Sequence, residues 1–107
     1  MLRYHVVVND LLQTIDHERL AKLCRRHGIA RLALFGSAAR GELGPESDLD
    51  LLVEFVAGQR VGLRFITVQD ELRDLLGREV DLNTRGFLSP HFRDQVEAEA
   101  VPLYEAA

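Results

Sequence analysis

At 107 residues and 12.1 kDa the chain has room for one compact domain and not for two. Hydrophobic residues make up 47% and charged residues 28%, and the single cysteine, Cys24, excludes a disulfide framework and a Cys-based zinc site. Thirteen Lys and Arg against 17 Asp and Glu give a formal charge of -4, opposite in sign to domains that hold nucleic acid by neutralising phosphates.

Membrane insertion is disfavoured too, because no apolar run approaches the ~20 residues of a span. Met1 to Asp10 lacks the layout of a signal peptide, so the cytoplasm is the expected location. Twelve of the 13 cationic residues are Arg, a bias that coding composition alone can produce.

Residues 1–13, with the β-branched run Val6-Val7-Val8, read as a loose or paired extension of a single domain spanning 1–107. From Asp16 to His27, Leu20, Leu23 and Cys24 recur at helical spacing, with Asp16 as N-cap and Gly28 as the stop. Arg31 to Phe35 is a short apolar run closed by Gly36, the pattern of a buried strand. Ser37 to Arg40 fits one helical turn, and Gly41 to Ser47 a loop rich in Gly, Pro and Ser. A second strand follows over Asp48 to Phe55.

Gly58 and Gly62 bracket a turn before a helix over Leu63 to Leu76, whose stripe is Phe65, Val68, Leu72, Leu75 and Leu76. Gly77 ends it, and Arg78 to Asn83 reads as a third strand. A last helix over Pro90 to Ala100 spaces Phe92, Val96 and Ala100 four apart and predicts a packed face, with Val101, Leu103 and Tyr104 after it. The order predicts an α/β (α+β) fold: a small mixed sheet covered by helices, the 63–76 helix crossing between parallel second and third strands. The first two strands either pair or flank a common neighbour.

The chemistry concentrates in two stretches. Side chains at i and i+2 of a strand share a face, so Asp48 and Asp50 point together, about 7 Å apart at their origins, while Leu49, Leu51, Val53 and Phe55 enter a core. The same alternation puts Asp81 on a face with Glu79 and Asn83. With the second and third strands adjacent, Asp81 joins Asp48 and Asp50, and three such carboxylates raise one another's pKa unless a cation neutralises them. Oxygen donors of this kind suit Mg²⁺ or Mn²⁺, and two such ions serve phosphoryl or nucleotidyl transfer. Gly36, without a side chain, lets a phosphate approach the backbone, where the N–H groups of Ser37 and Ala38 and the Ser37 hydroxyl can donate. Arg40, one turn on, is equally a phosphate ligand or a surface ion-pair partner.

Gly36-Ser37, ten residues, then Asp48-Leu49-Asp50 resembles the Gly-Ser-x10-Asp-x-Asp pattern of the DNA polymerase β-like nucleotidyltransferases. The stretch FGSAARGELGPESDLDLLVE looks more narrowly like the small MNT (minimal nucleotidyltransferase) proteins, and the likeness runs to Asn83. The resemblance implies that Asp48, Asp50 and Asp81 hold the metal ions, and it makes ATP the ligand whose triphosphate the residue reading places on Gly36, Ser37 and Arg40. It also implies a HEPN-type toxin as partner, its tyrosine as the AMP acceptor, and the role of antitoxin. The rival is a non-catalytic antitoxin that masks its partner sterically; transfer to a small molecule or a nucleic-acid end would require another subunit for the acceptor.

His5, His17, His27 and His91 lack metal-ligand spacing and are expected at the surface or at helix ends, Cys24 in the core, and Arg19, Lys22, Arg25 and Arg26 on a solvated face. Neither a Walker pattern nor Gly-x-Gly-x-x-Gly occurs, which disfavours P-loop and dinucleotide-binding folds.

Overall fold

Asp16 accepts a hydrogen bond from the backbone N–H of Arg19 at 3.0 Å, and this cap starts helix α1, His17–Arg26. Glu18 in its first turn and Arg25 and Arg26 in its last complement the helix dipole. The structure, a computed structural model, describes residues 12–41 and 48–106. Most of the N-terminal extension and of the loop before Asp48 lies outside the described residues. Within them, no helix is long and apolar enough to cross a membrane.

Strand β1, Ile29–Phe35, runs into a four-residue helix α2, Gly36–Ala39. Strand β2, Leu49–Phe55, pairs antiparallel with β1, which decides between the two arrangements the sequence left open. Helix α3, Arg64–Leu76, then carries the chain to β3, Val80–Asn83, parallel to β2 as the crossover predicted. Gly77 closes α3 in the left-handed region, its N–H bonded to the Arg73 carbonyl. A 3₁₀ turn at Arg85–Phe87 leads to helix α4, Pro90–Glu99, and to strand β4, Val101–Glu105. The sheet order is β3-β2-β1-β4.

The core lies on one face of this sheet. Leu20, Leu23 and Cys24 of α1 and Val68, Leu72 and Leu76 of α3 meet Leu32 and Leu34 of β1, Leu49, Leu51 and Val53 of β2, and Val80 and Leu82 of β3. Burial pushes the Cys24 thiol up to about 12, so it is an apolar filler and not a nucleophile. Ile29 also joins this core although it stands three residues before Leu32. A bulge between Ile29 and Arg31 absorbs the extra residue and restores the phase. On the free side of β3, the Leu82 N–H donates to Oε1 of Gln69 on α3, which blunts that edge against further pairing.

Other features refine or correct the sequence reading. β1 begins at Ile29 instead of Arg31, since the bulge hides its alternation. Val101–Glu105 forms a fourth strand on β1, with Pro102 tolerated because β4 is an edge. His27 stands at a helix end as expected, the C-cap of α1, and is 8% exposed there: its Nε2 meets Oε2 of Glu71 on α3, whose Oε1 takes Arg26. Finally, α4 buries none of its side chains, and Phe92 is 57% exposed. Polar contacts hold this helix instead, with Glu97 placed 2.9 Å from Arg31 of β1 and 3.5 Å from Arg85.

Candidate active site

The sheet gathers the acidic residues at one end. Because β1 is antiparallel to β2, its last residue, Phe35, stands opposite Asp50 near the start of β2. Because β3 is parallel to β2, Asp81 is the register partner of the same Asp50. Register partners share a face and neighbouring strands lie about 4.8 Å apart, so Phe35, Asp50 and Asp81 form one row across three strands. Asp50 is partly buried, whereas Asp81 and Asp48 are exposed. Asp48 stands just ahead of β2 and not within it.

The other two carboxylates act on Asp50. Burial first, then the charges of Asp81 and Asp48, hold the Asp50 pKa above the ordinary carboxylate value, and Arg40 pulls it the other way. That is the signature of an anionic site short of positive charge.

Gly36 packs its backbone against this cluster. Its φ is +64°, and a Cβ at that position would lie 2.4 Å from Oδ2 of Asp50. A side chain there must displace the carboxylate, so the glycine serves the site as well as the turn. Ser37 follows in the first turn of α2, partly buried, and the Arg40 N–H bonds back to the Gly36 carbonyl at 3.2 Å. The Arg40 guanidinium reaches Glu99 of α4 at 3.5 Å while its charge bears on Asp50. Arg40 thus makes the ion pair that the sequence allowed, and its charge also bears on Asp50.

Among the described residues no three His, Cys, Asp or Glu side chains form a ready-made metal centre. The donor chemistry nevertheless fits magnesium. That ion is commonly held by one or two carboxylates together with substrate phosphates and retained waters, not by an all-protein cage. Asp50, with Asp81 and Asp48 acting on it beside a glycine that leaves its flank open, supplies such a partial shell.

One part of the site escaped the sequence. Phe35, Gly36 and Arg40 face Leu88, Phe92, Gln95, Val96 and Glu99 across a cleft of about 300 Å³. The only signal for this wall was the four-residue spacing of Phe92 and Val96, which pointed equally well to core packing.

Residues 18–103 match the pattern of the nucleotidyltransferase domain. A candidate protein adenylyltransferase of Methanocaldococcus jannaschii is 37% identical over 85 residues, covering 79% of this chain and 90% of that one. The protein adenylyltransferase MntA of Thermococcus cleftensis is 36% identical over 80 residues, covering 75% and 80%. A solved candidate minimal nucleotidyltransferase superposes with a TM-score of 0.72 at 43% identity, covering 85% of this chain and 94% of the other.

Two further structures share the fold at lower identity. One is a toxin–antitoxin complex with AMP-PNP (TM-score 0.67, 24% identity, 85% of this chain and 74% of that one). The other is a tri-AMPylated Shewanella oneidensis HEPN toxin in complex with an MNT antitoxin (TM-score 0.60, 22% identity, 88% and 73%). The chain belongs to the nucleotidyltransferase domain family, as a member of its small MNT branch.

Proposed function

We propose that this chain transfers AMP from ATP to a tyrosine hydroxyl of a HEPN-type partner and acts as the antitoxin of that pair in the cytoplasm. The observation that carries the reading is the convergence of Asp81 and Asp48 on Asp50 beside a glycine with no room for a side chain. The relatives named as protein adenylyltransferases, and the fold neighbours solved with AMP-PNP and with an AMPylated toxin, support it.

Asp48, Asp50 and Asp81 would hold Mg²⁺, two ions in the full complement, and Mn²⁺ suits the same oxygens. When bound, the metal neutralises triphosphate charge and lowers the pKa of the acceptor hydroxyl. The remaining work falls to the chain. Gly36 admits the triphosphate to the backbone, the Ser37 and Ala38 N–H groups and the Ser37 hydroxyl donate to its oxygens, and Arg40 adds a charge-assisted bond. The acceptor oxygen attacks the α-phosphorus in line and gives its proton to Asp81. The bond from that phosphorus to the bridging oxygen breaks, pyrophosphate leaves, and AMP stays on the acceptor.

The binding-module reading makes the opposite demand on one experiment. Cells expressing the toxin are expected to recover growth with the wild-type chain but not with Asp50→Asn, although both chains copurify with the toxin. Equal rescue by the two would make masking, and not transfer, the mode of neutralisation.

A further inference from the structure

The α4 wall of the cleft between that helix and the β1–α2 corner has no part in the steps above, yet the cleft opens directly onto them. We infer that it seats the heterocyclic base of the nucleotide, with Phe92 as the stacking surface and Gln95 and Glu99 at the polar rim. This inference rests on the reading of the Gly36–Asp50 site as a nucleotide site, and it assigns the other end of the same ligand.

Three observations lead there. First, the cleft shares Gly36 and Arg40 with the phosphate-binding corner, and it shares Phe35 with the row that contains Asp50 and Asp81. One ligand can therefore span both. Second, its volume of about 300 Å³ and its lining of Phe35, Leu88, Phe92 and Val96 suit a flat, largely apolar ring. Third, Phe92 is 57% exposed on a helix that buries no side chain, so its ring adds little to the core. Such a ring beside a phosphate site is a platform for a base, since every base offers a π-face.

The acceptor's own aromatic ring is the competing occupant, and the direction of the reaction opposes it. Attacking and leaving oxygens lie on opposite sides of the phosphorus. With pyrophosphate on Gly36 and Ser37, the acceptor enters from the Asp81 side. The cleft lies beyond Gly36, at the other end of the row, where only the nucleotide can fold back into it.

The polar clasp of α4 gives the wall its position. Glu97 ties the helix to Arg31 at 2.9 Å, and the Arg93 Nε donates to the Arg85 and Leu88 carbonyls at 3.1 and 3.2 Å. These contacts spare the face that bears Phe92 and Val96.

The test compares ATP with inorganic tripolyphosphate, both with Mg²⁺, by titration calorimetry on the full chain. Phe92→Ala is expected to weaken ATP roughly 10-fold while tripolyphosphate affinity stays within about twofold, and Phe92→Trp is expected to restore ATP binding. Because Phe92 is exposed, the alanine variant keeps its fold, and Val96→Trp supplies a second check by filling the cleft and excluding ATP alone. Unchanged ATP affinity in Phe92→Ala would overturn the base assignment while leaving the phosphate site standing; a raised KM for the partner toxin in that case would mark the cleft as an acceptor groove. Equal losses for both ligands would overturn it as well. A wild-type chain that binds neither ligand would overturn this inference together with the reading it rests on.

Discussion

Asp50→Asn is expected to lower the rate of AMP transfer by roughly 10³-fold or more while raising the melting temperature of the metal-free chain by about 2–5 °C. The two effects have one origin. Partial burial raises the cost of the Asp50 charge most, and the charges of Asp81, its partner across the strands, and of Asp48 add to it. The negative charge gathered there destabilises the metal-free fold, the usual tension between a site and its scaffold.

The sign follows from the raised pKa. The folded chain binds the Asp50 proton more tightly than the unfolded chain, so stability falls as pH rises through the folded value, and the penalty is complete above it. The stabilisation by Asp50→Asn should therefore be full near neutral pH and shrink on acidification into the carboxylate range. Thermal melts in EDTA across that range measure it. A lower melting temperature for Asp50→Asn at neutral pH would contradict the electrostatic account, and transfer at the wild-type rate would contradict the metal assignment.

Gly36→Ala should be nearly as damaging to activity, for a reason of shape. The added Cβ faces two obstacles: a backbone at φ +64° and the Asp50 Oδ2 2.4 Å away. The first costs roughly 1–2 kcal/mol of stability, and the second turns the carboxylate out of place. Displacement of a reacting group by about 1 Å can cost on the order of 100-fold in rate. Gly77→Ala separates the two. Its φ is +68°, but a Cβ there meets nothing within 4 Å. Both variants should lose comparable stability in urea titrations, and only Gly36→Ala should lose transfer. If Gly36→Ala kept more than half of the wild-type rate, the close packing of this glycine on Asp50 would have no catalytic meaning.

Much of this site could be read from residue order because it depends on local rules. Alternation along β2 and β3 set which side chains share a face, and the length of the 63–76 helix made those strands parallel; together they brought Asp81 to Asp50. Asp16 and Gly77 marked helix ends through their own side-chain and backbone chemistry. What escaped depends on distant partners. β4 is a short edge strand containing Pro102, and only its pairing with β1 makes it a strand. His27 is buried through Glu71, 44 residues away. The two apolar residues Phe92 and Val96 have the spacing of a core stripe, yet they line a cleft, because the ion pair from Arg31 to Glu97 and not apolar packing fixes α4. The Gly36 contact with Asp50 is intermediate: the motif spacing suggested a phosphate role, while the close approach needed coordinates.

The most direct measurement is label transfer from ATP, with Mg²⁺, to the proposed partner, the protein encoded by the neighbouring gene. Label at the α-phosphorus is expected to appear on a tyrosine of that protein and label at the γ-phosphorus is not, with Asp50→Asn giving neither. Transfer of the γ label, or labelling that survives in Asp50→Asn, would contradict a carboxylate-held nucleotidyl transfer at this site.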